Sequence, residues 1–310
     1  MIVSEDAVVY TPNGIKRIME LDENSSVLCL DNNFHKLSGI SRFFAENLVN
    51  IKLNNVPSIL ISPDDKILVA TVKKRVKNNK TEFYINSCEF KPVSDLNKTD
   101  IIVMHKLQFS TPINSYNNWL IGKLCGKSFV QKNQIVILNS KAKLSEYKEK
   151  NTDNFKISSG VNENYKNIYL QGEIDKYLKF VCQANKTELP SDYFYNKEWD
   201  ISFINSVFYE NYSKNKKNEL MTTSKKFAYQ FYQILLNQFD VCPIMEEVHT
   251  LSAKKKYYKI IYDRKTKKAI SYKSFIFKRI ESIAYTSKPK VRFFKIKCEK
   301  PVIVNNIYLK

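Results

Sequence analysis

The sequence predicts an α+β chain in which a β-rich domain, split into N- and C-terminal parts, is interrupted by an internally duplicated α/β insertion. Three observations predict it. Positions 1 to about 70 hold short apolar or alternating runs separated by turn residues. An order of helix, strands and helix starts near Tyr116 and recurs from Trp199, and β character returns at Phe275 and continues to the end.

In order, Ala7–Tyr10, Ser26–Leu30 and Ser58–Ile61 read as strands, with turns at Thr11-Pro12-Asn13-Gly14 and Pro63-Asp64-Asp65. A basic segment, Lys73 to Lys80, reads as a hairpin tip in solvent, followed by strands at Phe83–Ile85 and Asp100–Met104. Tyr116 to Gly126 has a helical apolar pattern, Phe129 to Leu138 alternates as strands, and Leu144 to Asn151 is a charged stretch of helical character. Trp199 to Tyr212 reads as a helix with apolar residues at 199, 203, 204, 207 and 208. A strand at Glu219–Thr223 leads to an amphipathic helix from Ser224, its expected N-cap, to Phe239. Phe227, Phe231, Ile234, Leu235 and Phe239 share one face of it, the spacing of a core stripe. Tyr257–Tyr262 is a further strand, and Val302–Tyr308 closes the chain.

Composition bounds the function. The 310 residues carry 50 Lys+Arg against 31 Asp+Glu, a net charge of +19, while 43% hydrophobic and 13% aromatic residues suffice for real cores. The charge therefore does not belong to a disordered tail. Two sources account for it and stay open at this point: drift toward lysine codons, which the 6 glycines and abundant Asn suggest, and a polyanionic partner. No run of about 18 apolar residues occurs, and the N-terminus lacks a basic region followed by an apolar run, so the expectation is an intracellular protein with no membrane partner, nuclear if eukaryotic. Cys29, Cys88, Cys125, Cys182, Cys242 and Cys298 contain no Cys-x-x-Cys, and His35, His105 and His249 are the only histidines. That spacing argues against a zinc knuckle or a disulfide framework and supplies a His-centred triad poorly.

Several of these segments carry a family resemblance. Asp6 through Gly14, continuing by Ile18 and Leu21 to Val27-Leu28, resembles the opening block of inteins and their Hint fold. Ile61 to Val69 is similar to the second block, Phe90 to Val103 to a later one, and Val291–Ile296 with Ile303–Ile307 to the closing pair. The insertion resembles a LAGLIDADG homing endonuclease with two repeats. Trp119 to Phe129 is similar to its first motif helix and Phe203 to Ser213 to its second, with supporting matches at Lys186–Pro190 and Met221–Lys226. The resemblance implies a split Hint-like domain at 1–108 and 273–310 around a pseudo-symmetric endonuclease-like domain at 109–272. Free-standing, intein-derived mating-type-switching endonucleases of yeasts share this layout, although their cysteine-rich C-terminal region has no counterpart here.

The departures matter as much as the matches. Splicing in that family needs a nucleophile at residue 1, a His in the second block and a terminal Asn; Met1, Asp65 and Lys310 stand there. Asp65 is internal, and an ionised carboxylate is a poor proton donor, so the expectation is a splicing-incompetent domain. In the endonuclease family an acid near the end of each motif helix holds Mg²⁺ against a scissile phosphate. Glu210 stands at the second position as the candidate catalytic and metal-binding residue; Lys127 stands at the first, and no Asp or Glu occurs from Ser110 to Ser140. The resemblance further implies a basic sheet in the major groove of double-stranded DNA, with Lys132, Lys141, Lys143, Lys225, Lys226, Lys254, Lys255, Lys256, Lys259, Lys265, Lys267 and Lys268 as candidate phosphate contacts. The expectation is a monomeric DNA-binding protein with Mg²⁺-dependent cleavage impaired at the first motif. The alternatives are a catalytically dead DNA-binding protein and an active intein bounded differently at its ends.

Overall fold

The computed structural model describes residues 1–43, 47–77, 80–107, 115–140, 155–157, 165–171, 174–181, 188–196, 199–210, 218–239, 242–249, 256–262, 271–272, 275–287 and 292–310. The expected helix at Leu144–Asn151 lies outside them. In chain order the strands are β1 (Ile2–Ser4), β2 (Val8–Thr11), β3 (Gly14–Arg17), β4 (Ser26–Leu28), β5 (Phe34–Lys36), β6 (Gly39–Phe43), β7 (Asn47–Leu53), β8 (Ile59–Ile61), β9 (Lys66–Lys77), β10 (Lys80–Pro92) and β11 (Ile101–His105). Then come α1 (Ser115–Lys127), β12 (Ser128–Gln131), β13 (Gln134–Ser140), β14 (Phe155–Ile157), β15 (Tyr165–Leu170), α2 (Ile174–Leu178), α3 (Ser191–Asn196) and α4 (Ile201–Glu210). β16 (Glu219–Thr222), α5 (Lys225–Phe239), β17 (Ile244–His249), β18 (Lys256–Ile261), β19 (Ser271–Tyr272), β20 (Phe275–Ser287), β21 (Phe293–Lys297), β22 (Val302–Val304) and β23 (Ile307–Leu309) follow. The chain is mixed α+β, rich in strand, and divides into two compact units. One comprises Met1–Gln108, Asp240–Cys242 and Lys267–Lys310; the other comprises Phe109–Phe239 and Pro243–Thr266.

The first unit is a curled antiparallel sheet in the order β3-β2-β22-β23-β9-β11-β20-β7-β8-β1-β21-β6, with β10 added to β9 and β19 to β20. Its N- and C-terminal strands interleave, so neither part could close the sheet alone. β20 turns the corner. Its first half pairs with β11 and its second half with β7, and the register shifts between Ile280 and Ser282. A bulge at that point bends and twists the strand, which lets one strand serve both arms. β9 and β10 form a long hairpin running from the Lys66–Pro92 pair to the Lys77–Lys80 pair, so the basic segment occupies its far end.

Turn chemistry follows from the composition. With few glycines, left-handed turn positions fall to Asn32, Asn55, Asn133, Asn305 and Asn306, all at positive φ, because an Asn side chain tolerates that conformation best among non-glycine residues. Gly14, at φ 101, takes the one such position between β2 and β3, where the Thr11 hydroxyl donates to its carbonyl at 2.8 Å.

In the second unit two sheets form, β12-β13-β15-β14 and β16-β18-β17. α1 packs on β12 and β13, α5 on β16 and β18, and α1 and α4 pack on each other. The Ser224 hydroxyl accepts the Phe227 N–H at 3.1 Å, the N-cap read from the sequence. The preceding helix starts two residues later than its apolar pattern suggests. Asp200 caps it, its Oδ1 accepting the N–H groups of Ser202 at 2.8 Å and Phe203 at 3.1 Å, and this leaves Trp199 outside the helix but buried. Phe203 and Phe208 of α4 meet Phe231 of α5 at ring separations of 6.1 and 5.2 Å. Among the described residues no helix is long and apolar enough to cross a membrane.

Candidate functional site

Residues 1, 65 and 310 converge in the first unit. The Ile2 N–H donates to Asp65 Oδ2 at 2.6 Å, and the Met1 amine lies 3.7 Å from Asp65 Oδ1 while donating to the Ile296 carbonyl at 3.0 Å. On the other side of Asp65, Lys66 and Lys310 exchange two backbone hydrogen bonds of 2.9 Å. The carboxylate thus sits on the nitrogen of the first peptide bond, but as an acceptor: the proton it faces is already on that nitrogen. Burial pushes the Asp65 carboxyl above the usual range, opposed by the Ile2 N–H and the α-ammonium.

A neighbouring polar network went unread in the sequence. His105 is buried, with Nδ1 2.6 Å from the Tyr308 hydroxyl and its backbone N–H donating to the Asn306 carbonyl at 2.7 Å. The Tyr10 hydroxyl donates to Asn306 Oδ1, and Asn305 Oδ1 accepts the Val8 N–H at 2.8 Å. Burial pushes the His105 imidazole down to about 3, so it is neutral at ordinary pH. Tyr308 moves in the opposite direction for the same reason, upward. The sequence signal for this network was weak: an Asn pair inside an apolar strand run and a lone His ending another.

In the second unit the two helices that resemble the motif pair cross at Gly122. A Cβ there would fall 2.6 Å from Ser206 Cβ and 2.7 Å from the Phe203 carbonyl oxygen, so only glycine admits this approach. Lys127 and Glu210 are the last residues of α1 and α4; their side chains lie outside the described part of the structure. One turn before Lys127, Lys123 is fully buried, its ammonium 5.6 Å from the centre of the Trp119 ring. The sequence reading passed over it as an ordinary helix lysine.

The candidate phosphate contacts divide by sheet. Lys132 is exposed on the two-residue turn between β12 and β13, where it and Asn133 both have positive φ. Strands β12 to β15 contain no Asp or Glu. Across them, pairing aligns Phe129, Val136, Tyr169 and Lys156 on one face and Ile137 with Ile168 on the other, Val136 being buried like both of these, and Gln131 and Gln134 are exposed at the turn end. The other sheet differs. Lys259 lies 3.5 Å from Glu219 and is in register with Glu246, and Lys256 lies 2.9 Å from Glu247, which also meets His249 at 3.2 Å. Lys226 pairs with Glu188 at 3.3 Å, and the Lys225 ammonium is 6.0 Å from the Tyr258 ring centre. Carboxylates therefore already engage three of the expected contacts. Lys141, Lys143, Lys254, Lys255, Lys265, Lys267 and Lys268 lie outside the described residues.

Among the described residues no group of three or more His, Cys, Asp or Glu is arranged to hold a metal. At the helix ends Lys127 and Glu210 supply one carboxylate between them, where a two-carboxylate magnesium site needs two. No family model matches this sequence, and a search of curated proteins finds no significant match.

Proposed function

We propose that the chain is an intein-derived, free-standing DNA-binding protein of LAGLIDADG homing-endonuclease type, splicing-incompetent and impaired in cleavage. The observation that carries this reading is the crossing of α1 and α4 at Gly122 and Ser206. Each crossed helix is followed in sequence by an antiparallel sheet, and along the chain that repeat is inserted between the two parts of a β unit. Convergence of residues 1, 65 and 310 supports the Hint-like part. A carboxylate at position 65, where that family carries a proton-donating His, supports the loss of splicing.

Duplex DNA is the partner in this reading, held chiefly by the sheet free of carboxylates. Mg²⁺ enters only through Glu210, and we assign no hydrolytic step to it because Lys127 repels a second metal. A catalytically dead binding protein is the second reading, and Lys127 favours it. Incubation of the protein with a supercoiled plasmid library and Mg²⁺ separates the two. Nicked circles that vanish in Glu210→Gln support a residual one-strand activity. Salt-sensitive binding with no nicks or breaks leaves the binding protein alone.

A further inference from the structure

Cys29 and Cys298 are 269 residues apart in sequence, yet their sulfurs lie 3.8 Å from each other. Backbone pairing on both sides sets this approach. Cys29 follows β4 and bridges Val302, the Leu30 N–H donates to the Pro301 carbonyl at 3.0 Å, and the Ser38 N–H donates to the Lys297 carbonyl at 2.9 Å. A disulfide requires sulfurs about 2.05 Å apart, so the two side chains would have to close the remaining distance. The two thiols also differ in access: Cys29 is buried, whereas Cys298 is partly exposed. One can meet a reagent while the other waits behind it.

We propose that Cys29 and Cys298 form a modification site that takes up a reversible disulfide from a low-molecular-weight disulfide. In the first step the Cys298 thiolate attacks one sulfur of the reagent, forming a mixed disulfide and expelling one reagent thiolate. Cys29 then loses its proton to solvent and attacks the Cys298 sulfur, expelling the second thiolate. The two protein thiols are oxidised by two electrons and one reagent disulfide is reduced to two thiols. Burial, and after it the neighbouring thiol, push Cys29 upward, so the partly exposed Cys298 is the thiol that reacts first. The bond would fasten the β4–β5 hairpin to the segment between β21 and β22. β21 is the strand on which β1 lies, where Met1 and Ile296 exchange bonds of 3.0 and 2.9 Å. Oxidation would thereby fix the segment that follows β21, the neighbour of β1.

The test uses the folded full-length chain in the Cys88→Ser background, which removes an exposed competing thiol. After incubation with oxidised glutathione, peptide mapping without reductant should recover a Cys29–Cys298 linked pair, absent in Cys298→Ser and reversed by dithiothreitol. Urea titration of the oxidised form should show the unfolding equilibrium constant lowered about a hundredfold, the usual range for a native disulfide. Cys298 that stops at the glutathione adduct, or no linked pair in the native protein, would overturn the proposal.

Discussion

His105 and Asp65 give the first unit two opposite responses to pH. His105 is held at about 3 in the fold against an ordinary value of about 6.5. The unfolded chain therefore binds its proton first: stability is full above about pH 6.5 and is lost as pH falls toward about 3, at up to about 1.4 kcal/mol per pH unit. Asp65 is displaced upward, so its neutral form is favoured in the fold. Its contribution is present at low pH and is lost as pH rises through the raised value. In His105→Gln, which keeps polar atoms near Tyr308, the acid slope should flatten while neutral-pH stability falls by about 1–3 kcal/mol. Asp65→Asn, still able to accept from the Ile2 N–H, should steepen the acid loss by removing the opposing term. Urea midpoints measured at several pH values decide it; a His105→Gln slope equal to that of the parent would mean the imidazole is not buried neutral. None of this was legible from the sequence. His105, Tyr308 and Asn306 become neighbours only through the pairing of β11 with β23, and residue types alone do not report such register.

At the scale of elements, alternation and helical spacing identified most strands and both long helices of the second unit, because those periods follow directly from which face is buried. The helix starting at Ile201 was misread by two residues because Trp199 fits the apolar stripe although Asp200 supplies the cap. Lys259 and Lys256 were read as candidate phosphate contacts, and their ion pairs with Glu219 and Glu247 were not legible because these form only across strands. Two substitutions test the packing at the helix crossing. Gly122→Ala should lower the thermal midpoint: forcing a methyl to 2.6 Å from Ser206 Cβ costs about 1–3 kcal/mol, more than the gain in helix propensity. Ser206→Gly should restore part of the loss, since the Phe203 carbonyl clash remains; an alanine variant as stable as the parent would contradict the close crossing. Lys132→Gly releases a lysine from φ 48 and should raise stability by about 1 kcal/mol. If the β12–β13 turn touches phosphate, the same change should weaken duplex binding and reduce the salt slope by about one. A gain in stability with unchanged binding would remove Lys132 from the interface.

At the scale of the whole molecule, the discontinuous β unit is built from the two β-rich ends of the chain. β22 and β23 insert between β2 and β9, so the first strands and the last are mutual neighbours in one sheet. The net charge of +19 is likewise distributed unevenly. Part of it is neutralised locally by Glu188, Glu219 and Glu247, while strands β12 to β15 contain no Asp or Glu. In the proposed reading a duplex would meet the second unit asymmetrically, with the β12–β15 sheet dominant. The central claim, binding to double-stranded DNA, is tested most directly by fluorescence anisotropy of a labelled duplex across a salt series. We predict binding at low salt that weakens linearly in log–log form, with a slope reduced by neutralising exposed lysines of the first sheet and little changed by Lys259→Gln. Absence of binding to any duplex at low salt would contradict the account.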